Sequence, residues 1–426
     1  MYLIRILANK SISDFLVMFS SNILKKGFGF VREVILAASF GSSLLFAQFL
    51  LLKIVADLLF QLTQGSALQA NIMPRFSRIY ERNKDVSLNN IISFSKKGMI
   101  QLFIFSQIIQ FFLILYIQPD NYILFLLISL FLSIVIGFTF FCSIFLNIIQ
   151  AKGNFKKHSY ATTLDMFAST LFLYPLISFF GVLGIVFSRI MGLLSLFYFY
   201  LREKLYEVKG NNIKFGLEDF NFYIMIIGNL SNIILILSRF IAGTDGDNTI
   251  TYFNYSVVLL NILFTAVILN LNTLLLKRLT IYKDLRSIFY CLLISVSLGL
   301  VMVKIFDLYG LDIVRIIFER GAFTSEDTFK TYMYIKSISL SFVLIFVASV
   351  LFQPYLSLKN KVIKQDSRIM AFIFIFSSII MCLVFYFINT SAQYNSLLMI
   401  YILSSLSVLL SIYSFYKYLY FTKTEC

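Results

Sequence analysis

This chain has no tryptophan, one histidine, four cysteines and four prolines in 426 residues. With His158 as its only imidazole, a histidine-based metal site or catalytic triad has almost no material. Cys142, Cys291, Cys382 and Cys426 show no paired spacing, so no disulfide framework is expected. Charged residues make up only 13% of the chain, against about 25% in soluble globular proteins. Walker A and Gly-rich nucleotide loops are absent, and no cofactor is expected. Met1–Lys10 shows no small-residue cleavage site, so no cleaved signal peptide is expected.

What fills the chain is apolar. Hydrophobic residues are 59% of it and the mean hydropathy is +0.86. That composition implies an all-α polytopic membrane protein. The net charge is +15. The basic residues are dispersed among apolar spans, which fits cytoplasmic loops and argues against nucleic-acid binding. Loops alternate in charge along the whole chain. Pro74–Lys97, Lys152–His158, Arg202–Lys214, Lys277–Arg286 and Lys359–Arg368 are basic; Gly41–Ser43, Gln118–Asn121, Gly181, Gly243–Asp247 and Asn389–Asn395 are not. By the positive-inside rule this gives about twelve helices with both termini cytoplasmic. The basic loop Arg202–Lys214 divides them into two six-helix lobes, 1–206 and 207–426. An even number per lobe suits a parallel repeat.

Charges inside the spans carry the functional argument. Lys25, Lys26, Arg32 and Glu33 sit within the first apolar stretch, Phe15–Phe40. A cation at the bilayer centre costs about 2.5–3.5 kcal/mol and usually faces a bundle interior or polar pathway. Polar residues recur at helical spacing: Lys53, Asp57, Gln61 and Gln64; His158, Thr162, Asp165 and Ser169; Asn232 and Arg239; Asn254, Asn261, Thr265 and Asn272. Read blandly, these are interhelical contacts, and Lys53 with Asp57 is an intrahelical pair. Read together, they line a central cavity between the lobes. Cations at depth (Lys26, Arg32, Arg239, with Lys53 and Arg189) outnumber anions (Glu33, Asp57, Asp165), which favours an anionic substrate such as a pyrophosphate. Gly27 and Gly29 are positioned to bend or break the first helix. Asp307–Asp327 reads as a short interfacial amphipathic helix ended by Gly321, and Thr324 with Asp327 as the cap of the next span.

Two segments resemble MurJ-type (MviN) lipid II flippases of the multidrug/oligosaccharidyl-lipid/polysaccharide exporter superfamily. One is Gly27–Ala37 followed by Phe40-Gly41; the other, closer still, is Arg315–Thr328. The segments Ser238–Ala242 and Tyr252–Tyr255 are similar as well. The resemblance implies a two-lobed fold that flips polyprenyl-pyrophosphate-linked saccharides by alternating access. Its cavity arginines carry over to Arg32 and Arg239, with Lys26 in place of a third and Glu33 in place of an aspartate. Charged family positions fall on Ala47, Phe60 and Gly65-Ser66 here, and Lys53 and Asp57 have no family counterpart.

The expected function is therefore a flippase, not an enzyme, in the bacterial inner membrane. Its partners are a polyprenyl-pyrophosphate-linked saccharide and membrane lipids, with a coupling ion as an option. The saccharide stays open between lipid II and a surface-polysaccharide or O-antigen repeat unit. The substrate-binding candidates are Lys26, Arg32, Glu33, Lys53, Asp57 and Arg239. An ion-coupled drug exporter of the same fold is the first alternative. A membrane glycosyltransferase or polymerase is the second, disfavoured by the lack of a large external loop.

Overall fold

A computed structural model describes residues 10–63, 88–202, 222–244, 248–263 and 285–424, except 357–359 and 388–389, with isolated positions between 267 and 279. The elements are α1 (Lys10–Phe40), α2 (Leu44–Thr63), α3 (Leu88–Ile117), α4 (Tyr122–Ala151), α5 (Phe155–Leu171), α6 (Leu173–Phe180) and α7 (Leu183–Arg202). They continue with α8 (Phe222–Gly228), α9 (Leu230–Ala242), α10 (Thr249–Leu263), α11 (Arg286–Phe318), α12 (Ser325–Leu356), α13 (Asn360–Phe387) and α14 (Ala392–Thr424). Among the described residues there is no strand, and nine helical stretches are long and apolar enough to cross a membrane. The protein is an all-α, multi-pass membrane protein.

The helix surfaces follow from the solvent. On α3, Ile100, Ile104, Phe105, Ile108, Phe111, Phe112 and Leu115 are exposed, while Ser106 and Gln110 are fully buried. In water that pattern would be inverted; in hydrocarbon, apolar side chains face outward and polar ones pair between helices. Gln107 Nε2 donates to Ser129 Oγ on α4 (3.0 Å), and Ser133 Oγ on α4 donates to Ser106 Oγ (3.2 Å). The exposed apolar row Phe372, Phe376, Ile379 and Leu383 on α13 repeats the rule.

The described helices fall into two compact units. The first holds residues 1–35 and 55–221, the second residues 36–54 and 222–426. In the first, α3 packs on α4, and α7 packs on α4, α5 and α6. Helix α5 stops at Leu171 and α6 begins two residues later. Pro175 lacks the N–H that would bond the Leu171 carbonyl, which interrupts the ladder there. In the second unit α12 is central and packs against α10, α11 and α14. Helix α14 turns Ser396, Ser404, Ser407, Ser411 and Ser414 inward, all buried, and these small side chains let neighbouring backbones approach. Arg368 of α13 lies over the Tyr223 ring of α8 at 5.3 Å.

Two local expectations change. Residues 307–318 are not a separate interfacial helix; they complete α11, one unbroken helix of 33 residues. Nothing in Asp307–Phe318 interrupts the hydrogen-bond ladder, and Asp307 is tied to Lys336 of α12 at 2.9 Å. The expected polar face does form on it, with Arg315 between Asp312 (3.5 Å) and Glu319 (3.6 Å). Helix α1 likewise runs unbroken through Gly27 and Gly29, because a lone glycine costs only about 1 kcal/mol in a helix and packing overrides it. The Thr324 cap is present as a reciprocal pair. The Thr324 N–H donates to Asp327 Oδ2 (2.8 Å), and the Asp327 N–H donates to Thr324 Oγ1 (3.3 Å). The loop 203–214, the Pro74–Tyr80 segment, Gln64, Gly65-Ser66, Thr265 and Asp245–Asp247 lie outside the described residues.

In the second unit the α1–α2 turn meets the α11–α12 turn. The Ala322 N–H donates to the Ala38 carbonyl (2.8 Å), and Tyr255 Oη donates to the Gly41 carbonyl (3.2 Å). Gly41 and Gly321 have φ of 51° and 61°. A Cβ on Gly321 would lie 2.3 Å from the Ala38 carbonyl oxygen, and one on Gly41 would lie 2.2 Å from that of Ala322. Only glycine fits either place. Phe40, Phe46, Tyr255, Phe318 and Phe323 stack around the joint, with centroids 5.1–6.2 Å apart in their contacting pairs.

Candidate anion-binding site

A polar seam runs through the first unit where α1, α5 and α7 meet. Helices α1 and α5 advance together along it. Ser21 Oγ donates to the Ser159 carbonyl (3.0 Å) and lies 2.6 Å from Thr163 Oγ1. One turn on, Lys25 Nζ donates to Thr162 Oγ1 (3.2 Å). Further on, Thr170 Oγ1 donates to the Phe28 carbonyl (3.3 Å), and the Phe28 ring meets Phe167 edge-on at 5.4 Å. Of the sequence stripe His158, Thr162, Asp165 and Ser169, Thr162 meets α1 at Lys25, whereas Asp165 and Ser169 are buried beside Arg189 and Gly192 of α7; Ser159, Thr163 and Thr170, one position along, make the other contacts with α1.

Two arginines mark its end. Arg32, half-buried on α1, donates through Nη2 to the Ile185 carbonyl in the first turn of α7, at 3.4 Å. That is a long contact for a guanidinium. One turn later on α7, Arg189 Nη1 donates to both oxygens of Asp165, at 2.8 and 3.0 Å. Gly192 makes this approach possible, since a Cβ there would stand 2.5 Å from Asp165 Oδ1. The charges that act on Arg32 are Glu33, Arg189, Asp165 and Asp57.

The structure therefore brings Arg32, Glu33 and Asp57 into one electrostatic neighbourhood. Lys26 is on the same helix and exposed. Lys53, one turn before Asp57 on α2, and Arg239, buried on α9, belong to the second unit. Ala47 is buried and Phe60 exposed. Sequence reasoning left Lys25, Asp165 and Arg189 out of the site, although the last two stood out as isolated charges in apolar spans. Their pairing lowers the cationic excess. With Asp165 and Arg189 neutralising each other, Lys25, Lys26 and Arg32 stand against Glu33 and Asp57 in this part of the unit. Among the described residues, no cluster of three or more His, Cys, Asp or Glu could hold a metal ion.

No family model matches the sequence, nor does any curated protein. Solved structures do. The chain is similar to the lipid II flippase MurJ in an inward closed conformation, with a TM-score of 0.71 at 18% identity, covering 96% of this chain and 89% of that one. It is also similar to a Vibrio cholerae MATE transporter (TM-score 0.63, 12% identity, 98% and 97% covered). A transporter of the MOP superfamily from Pyrococcus furiosus, described as having a binding pocket of reversed polarity, gives a TM-score of 0.57 at 14% identity, with 94% of each chain covered. The resemblance first seen in Gly27–Gly41 and Arg315–Thr328 thus extends over nearly the whole chain: it has the fold shared by the lipid II flippase MurJ and the MATE transporters.

Proposed function

We propose that this protein is a flippase that carries a polyprenyl-pyrophosphate-linked saccharide across the bacterial inner membrane by alternating access. The observation that carries the reading is Arg32. A guanidinium in the interior of a membrane protein is expensive unless it is used, and this one has a single long hydrogen bond to a backbone carbonyl. Its planar fork suits a pyrophosphate. The likeness to MurJ supports the carrier-lipid class. Lys26, Glu33 and Asp57 set the local charge, and Lys53 and Arg239 are candidates to be tested in their own right. In this reading the chain forms two six-helix lobes, 1–206 and 207–426, with both termini cytoplasmic.

The head group we favour is a surface-polysaccharide repeat unit rather than lipid II. Ala47 and Phe60 put apolar side chains where the resembled family has charge, so the electrostatic grip on a head group differs. The test is to deplete the protein and identify which lipid-linked saccharide accumulates on the cytoplasmic leaflet. A surface-polysaccharide precursor is expected; lipid II would move the function to peptidoglycan, and no accumulation of any such lipid would remove the flippase reading. The fold is equally that of MATE transporters, so an ion-coupled exporter is the second reading. It predicts altered drug efflux on depletion, with no lipid intermediate accumulating.

A further inference from the structure

We propose that Arg189 is a second anion-binding guanidinium, held on Asp165 until a diphosphate enters beside Arg32. The inference rests on the flippase reading and adds a residue to its site. Arg189 meets Asp165 in an incomplete way. One nitrogen, Nη1, takes both carboxylate oxygens, so the two parallel bonds of a fork-to-fork pair are not made. Among the described residues Nε and Nη2 have no hydrogen-bond partner, and the side chains of Arg189 and Asp165 remain 24% and 12% exposed. Arg189 is thus only partly covered, and Nη1 alone carries its pairing with the carboxylate.

The position of Arg189 fits the role. It follows Ile185 by one turn on α7, and Ile185 is the residue whose carbonyl accepts from Arg32. Arg32 of α1 therefore lies against the stretch of α7 that carries Arg189, within electrostatic reach of it. Like charges so placed are stabilised by an anion between them. A diphosphate offers two adjacent charged groups, one for each arginine; a monophosphate offers one. Asp165 is not stranded when Arg189 leaves it. Lys25, bonded to Thr162 three residues earlier on α5, lies within electrostatic reach of Asp165 and keeps a cation near it. Arg189 is thus exchangeable between a carboxylate and a phosphate, and the exchange selects diphosphate over monophosphate.

The test uses the full-length protein purified in detergent and titrated calorimetrically with farnesyl diphosphate and farnesyl monophosphate. Wild type should prefer the diphosphate. Arg189→Gln should lose roughly tenfold in diphosphate affinity, the weight of one charge-assisted hydrogen bond, and little for the monophosphate. Asp165→Asn should bind the diphosphate more tightly than wild type, because Arg189 is released; a merely structural pair predicts unchanged or weaker binding. If Arg189→Gln fails to fold, the double variant with Asp165→Asn carries the same comparison. Arg189→Gln, or that double variant, binding both lipids as wild type does would overturn the inference. Arg32→Ala separates it from the reading beneath. Loss of binding in Arg32→Ala with none in Arg189→Gln sinks only the role of Arg189. Unchanged diphosphate binding in Arg32→Ala, or a wild type that binds neither lipid, sinks the flippase reading with it.

Discussion

The joint around Gly41 and Gly321 and the seam around Arg32 are built on opposite principles. The joint is aromatic and buried. Phe46, Tyr255 and Phe318 are fully buried there, and two glycines allow backbone to touch backbone. The seam is polar, with short hydroxyl contacts at Ser21, a 3.4 Å contact at Arg32 and a one-nitrogen ion pair at Arg189. Of the segments that resemble the flippase family, Arg315–Thr328 runs through the joint, while Gly27–Gly41 passes Arg32 of the seam before it reaches the joint. The positions that depart from that family, Ala47 and Phe60, do not form it. The comparison teaches that the two principles meet along one helix and its turn: the family-like segment Gly27–Gly41 carries Arg32 of the seam and, a few residues on, the backbone that packs the joint.

The sharpest way to break this contrast is at Gly321. A side chain there must adopt φ near 61° and drive into the Ala38 carbonyl, 2.3 Å from its Cβ. The backbone strain alone is about 1–3 kcal/mol, and the clash adds to it. Gly321→Val should therefore remove most folded protein from the membrane, measured as abundance and thermal stability in detergent. Wild-type abundance in that variant would mean the joint is not what holds the second unit together.

The seam should respond in the opposite way. Arg32→Ala is expected to abolish flux of the lipid-linked substrate while leaving membrane abundance near wild type. Arg32→Lys should recover part of the flux, since the point charge survives but the bidentate geometry does not. Abundance and substrate accumulation have to be measured together. A fall in abundance that accounts for the lost flux would make Arg32 a structural residue like those of the joint. Normal flux would take it out of the mechanism.

Much of this was legible in the sequence because membrane physics is severe. Long apolar runs separated by loops of alternating charge had few alternatives to a helical bundle. The Thr324–Asp327 cap was readable because its partners are three residues apart. The continuation of α11 through Phe318 was not, because an amphipathic pattern looks the same at the end of a span as in a separate interfacial helix. The pairing of Arg189 with Asp165 was hidden for a different reason. It joins residues 24 apart in sequence on two helices, and no periodicity records which neighbour an isolated charge will meet. The stripe on α5 showed only that one face was polar; the structure shows it turned between α1, which it meets at Lys25, and α7, which it meets at Arg189.

The mildest test probes the joint without deforming it. Tyr255 is fully buried, stacks against Phe46, Phe318 and Phe323, and donates its hydroxyl to the Gly41 carbonyl at 3.2 Å. Tyr255→Phe keeps the ring contacts and removes the hydrogen bond to the Gly41 carbonyl. The net worth of such a bond is about 0.5–1.5 kcal/mol. A buried carbonyl left with one partner fewer puts the loss toward the upper part of that range. The variant should show a slightly lower melting temperature, near-normal abundance and unaltered flux per folded molecule. The last readout is the discriminating one. If flux per molecule collapses while the protein stays folded, the joint takes part in transport, and the division between a region that holds the chain and one that handles its substrate is wrong.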